Sequence, residues 1–184
     1  MSLTYRMPAP ILRPRRFEST IGDLRDAGSR EQRWRTLGHP ATRYAMGFPL
    51  PAWQRPLVWT PQQCARFIES AWLGLHLGTL VVNGVRHEGG GVHPLSGLLI
   101  DGQQRLAAIA AYLDDRLEVF GYRWSELGRH EQARFERTVF MRSETGIWDE
   151  RELQDLYDRL NFGGTPHDPR ERARLSLVGG GGNE

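Results

Sequence analysis

Lysine is absent from this 184-residue sequence, because all 24 of its Lys-or-Arg positions are arginine. Without lysine there is no G-x-x-x-x-G-K-[ST] segment, which excludes a Walker-type NTPase. The single cysteine, Cys64, excludes an intramolecular disulfide and a cysteine-based zinc site. No apolar run approaches the roughly 20 residues that span a bilayer, and the first residues lack the apolar core of a signal peptide. We therefore expect a protein of the cytoplasm.

The residues that are present fit one globular domain. Hydrophobic residues make up 39% of the chain and aromatic residues 10%, which is enough for a normal core. The formal net charge is only +2, but it is uneven: residues 1–43 hold nine arginines and four acids, whereas residues 44–184 hold fifteen arginines and eighteen acids. The basic N-terminal segment either contacts nucleic-acid phosphates or forms a solvated helix with a basic face.

Residues 97–113 have the pattern of a strand, a polar turn and a helix. The apolar run Gly97–Ile100 indicates the end of a buried strand. Asp101 and Gly102 follow directly, and an alanine- and leucine-rich stretch with helical spacing then reaches Leu113. Such a turn directs free backbone N–H groups and the positive end of a helix dipole at one point, which suits a phosphate.

Each polar residue of this turn has a role that phosphoryl chemistry requires. Asp101 can orient a nucleophile or hold Mg²⁺, and Gly102 allows the backbone to approach a ligand closely. Arg105 is predicted to bind phosphate, while Gln103 and Gln104 offer neutral groups that orient water or a base edge. The alternative is structural: Asp101 caps the helix, and the other polar residues only solvate its start.

A second polar segment, residues 53–59, places a glutamine and an arginine among prolines and tryptophans. Arg55 either contacts a phosphate, together with Gln54, or forms a structural ion pair with the acid of the central turn. Trp53 and Trp59 either stack on a nucleobase or belong to the core.

A third polar segment stands at the end of a predicted helix. Its residues are Arg159, Asn161, Gly163, Gly164 and Thr165. Asparagine followed by two glycines is typical of a helix C-cap. Elsewhere the histidines show no H-x-x-x-H or H-E-x-x-H spacing, and a metal site formed by His87, Glu88 and His93 beside a glycine-rich loop is the weaker alternative.

Periodicity predicts a mixture of helices and strands, and hence an α/β or α+β fold. Helices are predicted at 17–27, 60–73, 124–127, 130–137, 149–161 and 168–176, in addition to the one that ends at Leu113. Strands are predicted at 44–48, 79–83, 97–100, 117–122 and 138–142. The remaining segments are predicted as an extended arm at 1–16, a loop or short helix at 29–43, a mobile hairpin loop at 84–97 and a disordered tail at 179–182.

The central motif Asp101-Gly102-Gln103-Gln104-Arg105 resembles the signature of a bacterial and phage family typified by the N-terminal half of GmrSD-type restriction enzymes, within the ParB/sulfiredoxin-like fold group. Residues 48–59 resemble the family's aromatic-Gln-Arg…Trp block, and residues 157–166 resemble its Arg-apolar-Asn-x-Gly-Gly-Thr-Pro block. The three blocks stand in the family's order. The resemblance implies a small mixed sheet with surrounding helices at 44–177, after a basic segment at 1–43 and before a flexible tail at 178–184.

The resemblance also implies the chemistry. Relatives in the fold group bind CTP, hydrolyse NTPs or act as ATP-dependent kinases, so we expect ATP, GTP or CTP as cofactor, with Mg²⁺ at Asp101. In the family the third segment lies beside the central motif, which implies that its polar residues complete the phosphate pocket. We expect NTP hydrolysis or phosphoryl transfer in connection with DNA, with modified phage DNA as a recurring context.

Three other functions stand beside this one. They are a kinase that phosphorylates a hydroxymethylated base, a nuclease that uses the same pocket on the DNA backbone, and a non-catalytic DNA- or protein-binding decoy. The His-Asn-His nuclease module that accompanies this domain in larger restriction proteins does not occur in the sequence, which weakens a prediction of DNA cutting taken from those relatives.

Overall fold

A four-stranded mixed sheet forms the centre of the protein, whose computed structural model describes residues 15–162. In chain order the strands are β1 (Arg15–Thr20), β2 (Tyr44–Ala45), β3 (Phe48–Pro49), β4 (Thr79–Asn83), β5 (His87–Glu88), β6 (Gly91–Val92), β7 (Leu99–Asp101) and β8 (Val139–Thr145). Strands β1, β8, β4 and β7 form the sheet in that spatial order, while β2–β3 and β5–β6 form hairpins.

Six α-helices accompany the sheet within residues 15–162. In chain order they are α1 (Ile21–Leu24), α2 (Ala27–Thr36), α3 (Pro61–Trp72), α4 (Gln103–Leu113), α5 (Arg129–Glu136) and α6 (Glu150–Phe162), with a 3-10 helix at Trp124–Glu126. None of these helices has the length and apolar character needed to cross a membrane.

The strands of the sheet run in both directions. Strand β8 pairs antiparallel with β1 and parallel with β4, and β4 pairs antiparallel with β7 through a register shift between Val81 and Val82. The predicted mixed α/β fold with a small mixed sheet is therefore confirmed.

Alternate residues of β4 contribute to two separate cores, because side chains alternate between the faces of a strand. Leu80 and Val82 belong to the larger cluster, together with Leu106 of α4. Val81 belongs to a smaller cluster with Leu153 of α6. The end of β7, which lies beside β4, is thus positioned between α4 on one face of the sheet and α6 on the other.

Helices α3 and α6 begin where the sequence predicts. Thr60 accepts a hydrogen bond from the backbone N–H of Gln63 at 3.3 Å, and the Gln63 side chain accepts one from Thr60 at 2.8 Å, while Pro61 occupies the first turn. Asp149 caps α6 by accepting the backbone N–H of Glu152 at 3.1 Å. These local signals need no tertiary contact, and both helices are confirmed.

The predicted helix at 17–27 is wrong in its first part, because residues Arg15–Thr20 form the edge strand β1. This strand pairs along its whole length with β8, so cross-strand pairing outweighs the local helix preference. Thr20 instead caps the short helix α1, with its Oγ1 accepting the backbone N–H of Asp23 at 3.2 Å. The segment at 29–43 contains most of α2, which agrees with its helical alternative.

Two predicted strands also differ. Residues 117–122 form only an isolated bridge between Val119 and Tyr122. The strand predicted at 44–48 is a tight hairpin, because Met46 and Gly47 adopt positive φ angles of 44° and 79° and turn the chain.

The loop predicted at 84–97 does contain a hairpin, β5–β6. Its turn passes through Gly89 and Gly90 with φ angles of 57° and 85°. The helix predicted at 168–176, the tail, and most of the arm at 1–16 lie outside the described residues.

Candidate functional site

The strand–turn–helix at the central motif forms as predicted. Strand β7 ends at Asp101, Gly102 turns the chain, and α4 begins at Gln103. Gly102 has a φ of 110°, and a Cβ at this position would overlap the side chain of Leu80. The turn therefore requires glycine both for its backbone conformation and for the close approach of β4.

Arg105 is held in place by three acceptors. Its Nη2 donates to Asp101 Oδ2 at 2.7 Å and to the carbonyl oxygen of Thr79 at 3.0 Å, and its Nη1 donates to the carbonyl oxygen of Leu77 at 3.1 Å. Only 14% of the Arg105 side chain is exposed, compared with 31% of the Asp101 side chain. These charge-assisted bonds make Arg105 a positioning residue for the Asp101 carboxylate. Its contact with phosphate stays a prediction.

Gly78 supports the same ion pair. It has a φ of 77°, and a Cβ there would overlap Nη1 of Arg105. Any side chain at this position would displace the guanidinium group, so glycine is required. Sequence reasoning missed this residue, because a glycine before a strand is too common to indicate a site.

Gln104 of α4 forms hydrogen bonds with the second polar segment, residues 53–59. Its Oε1 accepts the backbone N–H groups of Val58 at 3.0 Å and Trp59 at 3.1 Å. Its Nε2 donates to the carbonyl oxygen of Pro56 at 3.2 Å. All three bonds go to main chain, so the side chain fixes the position of residues 56–59. The predicted role of Gln104 in orienting water or a base stays a prediction.

Gln54 and Gln103 are buried like Gln104, with 5% and 6% exposure, but their amide oxygens are bonded differently from that of Gln104. The amide oxygen of each is buried without a hydrogen-bond partner among the described residues. Gln54 Nε2 lies 3.5 Å from the carbonyl oxygen of Ile100, at the limit of a hydrogen bond. A buried acceptor without a partner is costly, so these two oxygens are candidates for bonding a ligand that carries donors.

The upstream and downstream segments meet at Arg55. Its Nη2 donates to Asn161 Oδ1 at 3.4 Å, and Asn161 Nδ2 donates to the carbonyl oxygen of Tyr157 at 2.9 Å. Arg55 is exposed. The ion pair that the structure shows for Asp101 is with Arg105, whereas the alternative of a pair between Arg55 and Asp101 stays a prediction.

These segments line one cavity of about 90 Å³, which we call the polar cavity. Its lining residues are Gln54, Arg55, Trp59, Asp101, Gly102, Gln103, Gln104, Arg105, Tyr157 and Asn161. At about 30 Å³ for each water molecule, this volume corresponds to a few water-sized groups. Tyr157 is a lining residue that sequence reasoning missed, although it stands one helical turn before Asn161 and so on the same face of α6.

A second cavity, of about 870 Å³, adjoins the polar cavity, and we call it the large cavity. The two share four lining residues: Gln54, Trp59, Gln103 and Gln104. The remaining lining residues are Arg43, Tyr44, Ala45, Met46, Leu50, Pro56, Leu57, Pro61, Cys64, Leu106, Ala107, Ala110, Ala111, Arg116 and Leu117. Burial raises the pKa of the Cys64 thiol in its wall.

The two tryptophans of the upstream segment have different surroundings. Trp53 lines neither cavity: its Nε1 donates to Glu150 Oε1 at 3.1 Å, and its ring centre lies 5.2 Å from that of Tyr157, beside the smaller core. Trp59 lines both cavities, and its ring centre lies 5.6 Å from that of Phe67. Base stacking is therefore a prediction for Trp59 in particular.

Arg159 is separate from the polar cavity. Its Nε donates to Asp155 Oδ2 at 2.8 Å, and this hydrogen-bonded ion pair raises the pKa of the Arg159 guanidinium. Both side chains are exposed. The other predicted residues of this segment, Gly163, Gly164 and Thr165, lie outside the described residues.

Carboxylates and imidazoles are sparse around the site. Within residues 15–162, Asp101 is the one acid that lines the polar cavity. Within residues 15–162 there is no group of three or more His, Cys, Asp or Glu side chains that could hold a metal ion. The loop alternative with His87, Glu88 and His93 is therefore not supported, and the His93 ring instead lies 5.2 Å from that of Trp148.

Several arginines of the basic N-terminal segment already have partners. Arg25 forms an ion pair with Glu136, and Arg35 forms one with Glu31 at 2.6 Å. Arg30 donates to the carbonyl oxygen of Met46 at 2.7 Å, and burial lowers the pKa of its guanidinium. These residues stabilise the fold, which leaves less of this charge for nucleic acid than the sequence suggests.

Comparison with known proteins identifies the family. The family described as the GmrSD restriction endonuclease N-terminal domain matches residues 41–146, more than half of the chain. The matched range includes Gln54, Arg55 and the whole central motif, and it ends before α6. Searches of curated proteins and of solved structures give no significant match. The predicted relationship is thus confirmed, and the chain belongs to the family of GmrSD restriction endonuclease N-terminal domains, which are parts of enzymes that act on DNA.

Proposed function

We propose that the polar cavity binds the terminal phosphoryl group of a nucleoside triphosphate and that the protein hydrolyses or transfers this group in connection with DNA. The observation that carries this proposal is the convergence of three polar segments on one cavity. Residues 54–55, residues 101–105, and the pair Tyr157 and Asn161 are far apart in sequence, yet all line the polar cavity. A purely structural helix start would not require this convergence.

The electrostatics of the cavity favour an anion. Gln103 and Gln104 occupy the first turn of the 11-residue helix α4, where backbone N–H groups have no partner within the helix. Arg55 adds an exposed guanidinium at the cavity, where its Nη2 donates to Asn161 Oδ1. Helix terminus and arginine together form a site for phosphate oxygens.

Asp101 is the residue that acts on the reacting group. Its Oδ2 is oriented by Arg105, and the carboxylate lies in the wall of the cavity. One carboxylate fits Mg²⁺, which binds one or two carboxylates together with substrate phosphates and several water molecules. The ion would neutralise charge on the transferred phosphoryl group, while Asp101 orients the attacking water or hydroxyl.

The connection with DNA rests on family membership, and two arginines are available for contact. Arg15 and Arg16 are exposed on the edge strand β1. A positively charged edge suits the phosphate backbone and carries no sequence preference. Modified phage DNA, expected from the resemblance, is the first DNA substrate to test.

Isothermal titration of ATP, GTP and CTP with Mg²⁺ tests the phosphate site. Arg55→Ala is the informative variant because the Arg55 side chain is exposed, whereas the Arg105 side chain is mostly buried. We expect saturable binding of at least one nucleotide, weakened about 10-fold in Arg55→Ala through loss of a charge-assisted bond. Arg66→Ala is the matched control, since Arg66 is exposed on α3 and lines neither cavity. Binding of none of the nucleotides would overturn the proposal.

The fate of the phosphoryl group separates the enzymatic alternatives. Free phosphate released from γ-labelled nucleotide indicates hydrolysis, whereas label on hydroxymethylated DNA indicates a DNA kinase. Nicking of supercoiled plasmid without nucleotide would instead indicate a nuclease. DNA binding that survives loss of both Asp101 and Arg105, without turnover, would indicate a non-catalytic module.

A further inference from the structure

We infer that the large cavity is a nucleobase site, in which a planar heterocycle lies against α4 and donates N–H groups to the amide oxygens of Gln54 and Gln103. The inference rests on the proposed function, because the terminal phosphoryl group of the same nucleotide would occupy the adjoining polar cavity. Both glutamines belong to the wall that the two cavities share.

The size of the large cavity fits a ring system and its sugar. Its volume of about 870 Å³ lies within the range of about 300–1,000 Å³ that is usual for small-molecule sites. The polar cavity is nearly ten times smaller, at about 90 Å³, and has room for a phosphoryl group but not for a base. A nucleotide that uses both must therefore place its base in the large cavity.

The part of α4 that lines the large cavity carries mainly small apolar side chains. Gln103, Ala107, Ala110 and Ala111 stand at helical spacing and all line the cavity. Methyl side chains leave the helix surface open to a flat ligand, and Trp59 supplies an aromatic ring where the two cavities meet. An apolar wall beside an aromatic ring is typical of sites that bind heterocycles.

The amide oxygens of Gln54 and Gln103 indicate which chemical groups the ligand carries. Gln54 and Gln103 are both more than nine-tenths buried, and their Oε1 atoms lack hydrogen-bond partners among the described residues. An amide oxygen bonds N–H or O–H donors and gains nothing from an aliphatic chain or an anion. Nucleobases carry N–H donors on their edges, which satisfies this requirement.

The charged residues of the large cavity agree with this ligand. Among the described residues, Arg43 and Arg116 are the charged members of its lining, and this part of the lining includes no acid. An arginine-bearing cavity favours a ligand with phosphates and disfavours a cation.

Alkylation of Cys64 tests occupancy directly, because this thiol lines the large cavity and is the one cysteine of the chain. The rate of modification by N-ethylmaleimide is measured at fixed pH with Mg²⁺ and either ATP, GTP, CTP, UTP or inorganic tripolyphosphate. We expect a bound nucleotide to slow alkylation about 10-fold and tripolyphosphate to leave the rate unchanged, although calorimetry shows that tripolyphosphate binds.

The outcomes separate the two proposals. Saturable nucleotide binding with an unchanged alkylation rate would overturn the nucleobase site and leave the phosphate site intact. Absence of binding by every nucleotide and by tripolyphosphate would overturn the proposed function, and the nucleobase site with it. A mixed-sequence single-stranded oligonucleotide distinguishes the source of the base: protection by it alone assigns the cavity to a base presented by DNA, and protection by nucleotides assigns it to a free nucleotide.

Filling the cavity gives a second, independent measurement. Ala107→Leu places a larger side chain in the α4 wall, and we expect nucleotide affinity to fall about 10-fold while tripolyphosphate affinity is unchanged. Ala133→Leu on α5 is the matched control, because Ala133 is also half-buried and lines neither cavity. Thermal unfolding verifies that both variants are folded. Wild-type nucleotide affinity in a folded Ala107→Leu protein would overturn the inference.

Discussion

The two adjoining cavities share a wall but differ in how their polar groups are bonded. In the polar cavity the principal charges are already paired, with Arg105 bonded to Asp101 and to two carbonyl oxygens. The wall that both cavities share holds an aromatic ring and two amide oxygens without partners among the described residues, and the large cavity adds the alanines of α4. The charged groups on the far side of the polar cavity are pre-organised by the protein itself, whereas the shared wall leaves bonding capacity for a ligand.

This difference separates positioning from recognition. Groups that must act on a reacting phosphoryl need fixed geometry, which paired charges and close glycines provide. Groups that recognise a ligand must keep an unused bond until the ligand arrives. Neighbouring residues of one motif divide these tasks: Gln104 bonds the main chain three times, and Gln103 keeps a buried acceptor unpartnered.

Loss of the carboxylate should have the largest effect. Asp101→Asn keeps an acceptor for Arg105 but removes the charge that orients a nucleophile or holds Mg²⁺. We expect turnover to fall about 100-fold or more, while nucleotide affinity without Mg²⁺ does not fall, because a repulsive charge has been removed. Steady-state turnover and Mg²⁺-free calorimetry measure the two effects. Unchanged turnover and metal dependence would exclude Asp101 from the chemistry.

Displacing the Arg105 guanidinium should have the next largest effect on turnover. Gly78→Ala combines a strained positive φ with an overlap at Arg105, whereas Gly74→Ala has a similar φ of 71° and open space around it. Strain alone costs about 1 kcal/mol or more in both variants. We expect a further loss of stability and about 10-fold lower turnover in Gly78→Ala alone, measured by urea unfolding and kinetics. Equal behaviour of the two variants would mean that the position of Arg105 does not matter.

Substitutions of Gln103 and Gln104 should have smaller effects, and comparing the two variants tests how each side chain is bonded. Gln104→Leu leaves two N–H groups and one carbonyl of residues 56–59 without their partner, and we expect it to lower the free energy of unfolding by about 1–3 kcal/mol. Gln103→Leu removes a buried acceptor that has no partner within residues 15–162, so the stability of this variant should stay within about 1 kcal/mol of wild type. Urea denaturation of both variants tests this. A larger loss for Gln103→Leu would show that its oxygen is bonded within the protein.

The sequence predicts those parts of this arrangement whose causes are local. The cap at Thr60, the glycine turn at Gly102 and the helical spacing of α4 each depend on neighbouring residues, and all three form as expected. The helix predicted at 17–27 fails at β1 because the pairing with β8 joins residues more than 100 positions apart. No local pattern records such a pairing.

The same limit applies to the site. All five residues of the motif line the polar cavity, but the motif does not reveal their bonds. Arg105, which is predicted to bind phosphate, bonds Asp101, Leu77 and Thr79 in the structure, and the last two belong to a distant segment. The large cavity was not predicted at all, because an open space between α4 and the β2–β3 hairpin has no signature in the sequence.

Acidification should have the smallest effect on the free energy of unfolding, and it sets the pH range in which the two cavities can be compared. His39 is 7% exposed and accepts the backbone N–H of Ala41 at 3.1 Å, and burial lowers its pKa. The unfolded chain therefore binds a proton at about pH 6.5 that the folded protein does not, so stability should fall as pH decreases below that value. His39→Asn retains an acceptor for Ala41 and cannot titrate. We expect the wild type to lose more stability than this variant between pH 7 and about pH 5.5 in urea unfolding, and parallel curves would show that His39 is not responsible.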